Sequence, residues 1–248
     1  MRKIVFRLAP VLLVSGFLFH SLPTLAEEGG SSPRALLMAR NETILAAQIA
    51  AKIENIGVNE GERFKKGQIL ASFDCALQTA QLQKAKAEQD NAEGVLETQI
   101  KLGQLKSGSE LELKLAQGSL AKAKSEHTYM NVLVDMCKIK APFDGRVISK
   151  KASSHQNVSQ GQAVLEIIDD SVLEAHIIVP SRWLTWLRLG LMFDIYIDET
   201  RRNYRAEITT IGAKVDPASQ SIKIIGEIKG KFPELLAGMS GPSSLKGP

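Results

Sequence analysis

The sequence predicts an α+β, mostly β fold, in which one small β sandwich is split by an antiparallel coiled-coil α-hairpin and followed by a small antiparallel β-barrel. Three observations lead to this prediction. Two similar β segments stand far apart, the residues between them are strongly helix-forming, and the last third of the chain alternates apolar with polar residues.

Residues 1–26 are predicted to be a secretory signal peptide. A basic start precedes an apolar run of 12 residues at 8–19, and small residues suited to cleavage follow at 24–26. The run is shorter than the roughly 20 residues that span a bilayer. We therefore expect an exported chain with a cleaved signal; an uncleaved inner-membrane anchor is the alternative.

The charge balance gives no indication of a nucleic-acid partner. The chain contains 31 Lys+Arg and 27 Asp+Glu, and the predicted signal removes three basic residues, which leaves 28 against 27. Phosphate binding needs a clustered basic surface, whereas here the two signs are interspersed along the helices. The sequence therefore predicts ordinary solvated faces and no nucleic acid.

The two similar segments are predicted to form one β module. Residues 27–41 read as a polar leader and a first barrel strand, and residues 42–74 as three or four short strands. The sequence FKKGQILASFD at 64–74 resembles VSQGQAVLEIID at 158–169, since both place Gly-Gln before an aliphatic run that ends in Asp. We expect 42–74 and 138–169 to pair, because each alone has an unpartnered apolar face.

The interruption, residues 75–137, is predicted to be a helical hairpin. It contains no proline, and it breaks at residues 103–108 before Ser109 and Glu112, a capping-box pattern that starts a second helix. Arms of about 27 residues would reach about 40 Å. The second arm carries a heptad seam formed by Leu113, Ala116, Leu120, Ala123, His127, Met130 and Val134.

The two cysteines fall at matching levels of this hairpin. Cys75 and Cys137 each lie 31 residues from Lys106. Because an exported protein meets an oxidising compartment, we hypothesise a disulfide that clamps the hairpin base, worth about 4 kcal/mol in the chain-entropy model. Two buried free thiols are the alternative, since facing helices lie about 8–10 Å apart and a disulfide needs Cα atoms within about 7 Å.

Residues 170–240 are predicted to form the barrel and residues 241–248 a flexible tail. A short helix at 181–190 separates the first two strands, and closure into a barrel would leave no exposed sheet edge. The tail is rich in Gly, Ser and Pro. The predicted strands are Val172–Pro180, Leu191–Asp198, Tyr204–Gly212 and Ser221–Ile228.

No catalytic, metal or cofactor site is predicted. The sequence contains no CxxC, no HExxH and no Gly-rich phosphate loop between a strand and a helix. His127 is expected to pack in the helical seam, His155 to lie in a turn and His176 within a strand. Trp183 and Trp186 are expected to cover a core or a subunit contact.

Four motifs in order resemble one family. They are GERFKKGQILASFD at 61–74, KIKAPFDGRV at 138–147, VDPASQSIKI at 215–224 and LLAGMSG at 235–241. With the hairpin between the first two, the chain is similar to the HlyD or membrane fusion protein family, the periplasmic adaptors of bacterial efflux (RND-type) and secretion systems. The resemblance covers about residues 42–239.

The resemblance implies a non-catalytic periplasmic adaptor with a split biotinyl/lipoyl-like domain. Its hairpin tip would meet an outer-membrane channel, its barrel would face an inner-membrane transporter, and copies would form a ring. The family's tip Arg corresponds to Lys101 and its Leu to Leu105, with Lys106 and Gly108 beside the turn. The family's Ser has no counterpart, because Glu112 holds that spacing.

Two other classes of function stay open at this stage. A biotin or lipoyl carrier would need a lysine where the hairpin is inserted, and the chain has Asp74-Cys75 there. An envelope hydrolase would need a nucleophile–base pair, and the sequence contains no recognisable one.

Overall fold

A computed structural model describes residues 32–245. The predicted signal peptide at 1–26 lies outside the described residues. The described chain is mostly β with two long helices, as predicted. None of its helices is both long and apolar enough to cross a bilayer.

The helices are α1 (Ala76–Gln104) and α2 (Glu110–Asp135), with one 3-10 helix at Ser181–Thr185. The strands are β1 (Arg34–Ala46), β2 (Ala51–Ile56), β3 (Arg63–Phe64), β4 (Ile69–Phe73), β5 (Lys138–Lys140), β6 (Gly145–Lys150), β7 (Asn157–Val158), β8 (Ala163–Pro180), β9 (Met192–Ile197), β10 (Arg202–Ile211), β11 (Ser221–Ile228) and β12 (Ser240–Pro242).

The two similar segments share one core, as predicted. Residues 94 positions apart in the sequence occupy equivalent positions in the two halves of the module. Their backbone hydrogen bonds are equivalent as well, since Gly67 N–H donates to the Ala141 carbonyl at 2.8 Å and Gly161 N–H donates to the Ala47 carbonyl at 2.7 Å. The module is therefore an internally two-fold unit. Its matched buried pairs are Ile53 with Val147, Val58 with Ala152, Phe64 with Val158, Leu70 with Val164, Ala71 with Leu165, and Phe73 with Ile167.

The hairpin is inserted where a tight turn would otherwise stand. Strands β4 and β5 are antiparallel neighbours with Ser72 opposite Lys138. Phe73 N–H donates to the Cys137 carbonyl at 2.9 Å, so the ladder continues to the residue that follows α2. The chain leaves and re-enters the module between adjacent strands, which is why 63 residues can be inserted without disturbing the core.

The barrel is a closed antiparallel sheet. Its strand order is β12-β1-β8-β11-β10-β9, and a bridge between Ile195 and Ser243 joins its two ends. The first strand completes the barrel, as expected. The predicted boundaries at 41 and 169 both fall inside strands, because β1 and β8 run through the module and the barrel, with a register shift between Ala39 and Asn41.

The predicted flexible tail is wrong for residues 241–245. Gly241 lies in β12, opposite Ala35 of β1, and Leu245 is buried in the barrel core. Gly241 fits because it has no side chain: a Cβ there would overlap the Tyr196 carbonyl oxygen. Composition suggested disorder, whereas this glycine permits the close approach that seals the barrel.

Candidate partner-docking site at the hairpin tip

The two helices of the hairpin pack along the predicted seam. All seven predicted seam residues of α2, including His127, are buried or half-buried. Ala116 and Leu120 of α2 and Ala85 of α1 are fully buried, while most other hairpin side chains are exposed. The opposing α1 seam is formed by Gln78, Leu82, Ala85, Gln89, Ala92, Leu96, Gln99 and Leu102. The hairpin is thus a two-helix rod with a narrow apolar contact.

A disulfide joins Cys75 and Cys137 at the root of the rod. Their Cα atoms are 6.2 Å apart, within the range that a disulfide requires. This spacing is possible because Cys75 precedes α1 and Cys137 follows α2, so neither cysteine faces the other across the helical seam. Both are part of the β-module core. Oxidation of the pair in the exported protein stays a prediction.

At the other end, α1 terminates in a Schellman motif. Ser107 N–H donates to the Leu102 carbonyl and Lys106 N–H to the Gly103 carbonyl, each at 3.0 Å. Lys106 has a φ of 57°, the left-handed conformation that usually belongs to glycine in this motif. The turn thus holds a lysine in a costly backbone state, with its side chain on the tip surface.

Gly108 sets the width of the tip. A Cβ at this position would lie 2.8 Å from the Gly103 nitrogen and 3.0 Å from the Gly103 Cα. Both atoms belong to the backbone, which cannot move aside as a side chain can. Glycine at 108 therefore lets the chain cross closely over the end of α1 before α2 begins.

The predicted capping box does not form. Ser109 is the N-cap of α2, as expected, but its side chain makes no capping hydrogen bond. Glu110 and Glu112 in the first turn instead place negative charge beside the exposed amide groups of the helix start.

Four of the charged side chains at the tip form two short pairs, whereas Lys106 and Glu112 form no salt bridge within the described residues. Lys101 Nζ lies 2.7 Å from Glu97 Oε1, and Lys114 Nζ lies 3.2 Å from Glu110 Oε1. The hydrogen bond from Lys101 lowers the pKa of the Glu97 carboxyl below its ordinary value. Within the described part of the chain, Lys106 forms no salt bridge, so its charge is free to meet a partner.

Three leucines give the tip an exposed apolar surface. Leu105, at the end of α1, is 73% exposed, and Leu111 and Leu115 of α2 are 66% and 61% exposed. Sequence reasoning placed Lys101, Leu105, Lys106 and Gly108 at the tip, and the structure places all four in the last turn of α1 and the loop that follows. It missed Leu111 and Leu115. Their signal is readable in retrospect, since both are apolar yet stand outside the heptad seam.

No metal-binding cluster accompanies this surface. Among residues 32–245, no group of three or more His, Cys, Asp or Glu side chains is placed to hold a metal ion. His155 lies in a turn and His176 in β8, as expected, and Trp183 and Trp186 pack partly against the barrel core. The chemistry that the tip offers is apolar contact flanked by charged groups of both signs.

Comparison with known proteins gives one family and several relatives. A family profile described as "CzcB-like, barrel-sandwich hybrid domain" matches residues 41–169, which is the β module together with its hairpin and slightly more than half of the chain. In fold, the chain is similar to a chimeric MacA-MexA protein carrying the Pseudomonas aeruginosa MexA α-hairpin domain. The TM-score is 0.74 at 22% identity, covering 85% of this chain and 78% of that one.

Two curated proteins are similar in sequence. An uncharacterised protein of Haemophilus influenzae is 24% identical over 210 residues, which is 82% of this chain and 54% of that protein. The cobalt-zinc-cadmium resistance protein CzcB of Cupriavidus metallidurans is 26% identical over 158 residues, 58% of this chain and 30% of that protein. The chain spans about half the length of the first and less than a third of the second.

Proposed function

Because the chain belongs to the CzcB-like family of proteins with a barrel-sandwich hybrid domain, we propose that it is the periplasmic adaptor, or membrane fusion protein, of a bacterial efflux or secretion complex. It acts without catalysis. Its hairpin tip meets an outer-membrane channel, its barrel side meets an inner-membrane transporter, and several copies surround the conduit as a ring.

One observation carries the proposal: the rod is anchored at its root and exposed at its tip. The root residues Cys75 and Cys137 belong to the β-module core, so a displacement of the module moves the rod with it. The tip presents Leu105 and Leu111 to solvent without any contact of their own to bury them. A group of exposed leucines is typical of a protein contact surface.

The same geometry favours a connector over a cofactor carrier. A carrier domain presents its modified lysine on a tight turn between two strands. Here the connection between β4 and β5 is the hairpin itself, which leaves no tight turn at that place. The related resistance protein CzcB is named for cobalt, zinc and cadmium. We propose the export role for this chain and assign it no cargo.

Photo-crosslinking in living cells tests the proposal. A photoreactive amino acid is placed at Leu105 or Leu111 of the full-length chain, and captured proteins are identified by mass. Position Leu77, which is 66% exposed at the root of α1, is the matched control for exposure. We expect the tip positions to capture an envelope channel or a second copy of this chain, and Leu77 to capture no channel.

The outcome that contradicts the proposal is equally specific. If neither tip position captures an envelope protein, or if Leu77 captures the same proteins as the tip, then the tip is not a docking surface.

A further inference from the structure

The end of the barrel farthest from the β module carries an unusual segment, Ser181–Met192, with the sequence SRWLTWLRLGLM. It contains both tryptophans of the chain. The rings of Trp183 and Trp186 lie 5.2 Å apart between centroids and pack partly against the barrel core. We call Ser181–Met192 the barrel-end segment.

Apolar side chains of this segment point away from the core. Leu189 is 64% exposed and Leu184 is 38% exposed, and Met192 is exposed to a similar degree. On the adjacent 212–220 turn, Val215 is exposed as well. Backbone hydrogen bonds tie that turn to the segment, since Ser181 N–H donates to the Gln220 carbonyl at 2.8 Å. Large apolar groups therefore protrude from both neighbouring loops of the barrel end.

Several backbone carbonyls of the segment accept hydrogen bonds from within it. The Trp183 carbonyl accepts from the amides of Trp186 and Leu187 at 3.0 and 2.8 Å. The Arg188 guanidinium folds back and donates to the carbonyls of Leu184, Thr185 and Leu187. These internal hydrogen bonds lower the cost of moving the segment into an apolar or interfacial environment, because the bonded carbonyls no longer depend on water.

The charges around the segment are predominantly basic. Arg182 and Arg188 flank the tryptophans, and Lys214 lies on the neighbouring turn; all three are exposed. The acidic group of that turn, Asp216, accepts hydrogen bonds from the backbone and hydroxyl of Ser219 at 2.8 and 2.9 Å. The exposed basic side chains therefore favour contact with an anionic surface.

The N-terminal part of the chain joins the barrel at the same end. Ala35 of β1 pairs with Ile177 of β8, three residues before that strand ends at Pro180. The described chain thus enters the barrel on the side of the barrel-end segment. The β module and its hairpin lie toward the other end of β8.

We propose that the barrel-end segment docks onto the surface of an anionic phospholipid bilayer. Leu184 and Leu189 enter the boundary between headgroups and acyl chains, the two indoles lie at headgroup level, and the cationic side chains of Arg182 and Lys214 meet lipid phosphates. The inference rests on the proposed function only in placing the protein beside a membrane. It adds a lipid contact to the protein contacts of the proposed adaptor.

The two tryptophans make the test direct, because all indole fluorescence of this protein arises from the segment. The full exported chain is mixed with vesicles of phosphatidylethanolamine and phosphatidylglycerol, and separately with phosphatidylcholine vesicles. With the anionic vesicles we expect a blue shift of the emission, protection from acrylamide quenching, and weakening of both effects by salt.

A double variant, L184D/L189D, is expected to partition at least about tenfold more weakly, because two apolar groups are replaced by charges that anionic lipid repels. L77D, at a similarly exposed leucine at the root of the hairpin, is the matched control and is expected to bind as the parent does. Circular dichroism of both variants verifies that the barrel is intact.

Three results would overturn the proposal. The first is an unchanged emission with all vesicles. The second is equal binding by the parent and L184D/L189D. The third is a blue shift that is seen only when a transporter is reconstituted in the vesicles. The last result would assign the segment to a protein partner. Each of these is independent of crosslinking at the hairpin tip, so failure here leaves the adaptor role to be judged separately.

Discussion

Breaking the bond between Cys75 and Cys137 perturbs the root of the rod and nothing at its tip. The bond closes a loop with a sequence separation of 62 residues, which consists of the hairpin alone. Without the bond, the unfolded chain gains the freedom of that loop. In the chain-entropy model this lowers the free energy of unfolding by about 4 kcal/mol, and for a protein of this size the melting temperature falls by roughly 8–16 °C.

The assay compares the oxidised parent with C75A/C137A in urea. Far-UV circular dichroism follows the hairpin helices, and tryptophan fluorescence follows the barrel, since both tryptophans lie there. We expect the double variant to lose helical signal at a lower urea concentration than the oxidised parent. The reduced parent, which keeps both sulfur atoms in the core, is the matched control and is expected to resemble the double variant.

Two results would refute this reasoning. The first is the labelling of two free thiols when the exported protein is alkylated without reductant. The second is equal urea midpoints for the oxidised parent and C75A/C137A, since the closed loop would then contribute no stability.

Three further predictions concern the tip and the junction of module and barrel. G108A should destabilise the hairpin by about 1–3 kcal/mol, because its Cβ would meet the Gly103 backbone. G118A, in open space on α2, should stabilise the hairpin by about 0.5–1 kcal/mol. Equal melting temperatures for G108A, G118A and the parent would contradict both expectations. K106G should raise stability by about 1 kcal/mol relative to K106A by relieving the left-handed backbone, and both variants should crosslink less at the tip; a K106A that is the more stable of the two would exclude the strain. Burial raises the pKa of Asp169, but hydrogen bonds from Ser171 and Asn41 outweigh this effect and hold the pKa below its ordinary value. The resulting stability is present above the unfolded pKa of about 3.9 and is lost as the pH falls through the lower folded value. When urea midpoints are measured against pH, D169N should therefore show a smaller loss of stability at acid pH than the parent.

The parts of this fold that the sequence predicts are those with local periodicity. The seam from Leu113 to Val134 repeats every three or four residues, and the barrel strands alternate, so each pattern identifies its own buried face. The repeated Gly-Gln turns likewise identify the two halves of the module. These features need no knowledge of distant contacts.

The parts that the sequence does not predict depend on long-range packing. Gly241 and Leu245 belong to a stretch whose composition suggests a loose tail, yet the opposing Tyr196 and the barrel core give them defined places. Strand β8 continues through a domain boundary because both domains pair with it. At the tip, Leu111 points outward because it lies outside the heptad seam through which α2 packs on α1.

Excision of the rod tests the central claim most directly. Because β4 and β5 are adjacent antiparallel strands and the Cα atoms of Cys75 and Cys137 lie 6.2 Å apart, a short Gly-Ser turn can join Cys75 to Cys137 and leave the module core whole. Envelope proteins that co-purify with the intact chain and with the excised chain are then compared. We expect the excised chain to stay folded and to co-purify with an inner-membrane transporter but no longer with the outer-membrane channel. Undiminished capture of the channel by the folded, excised chain would contradict the central claim.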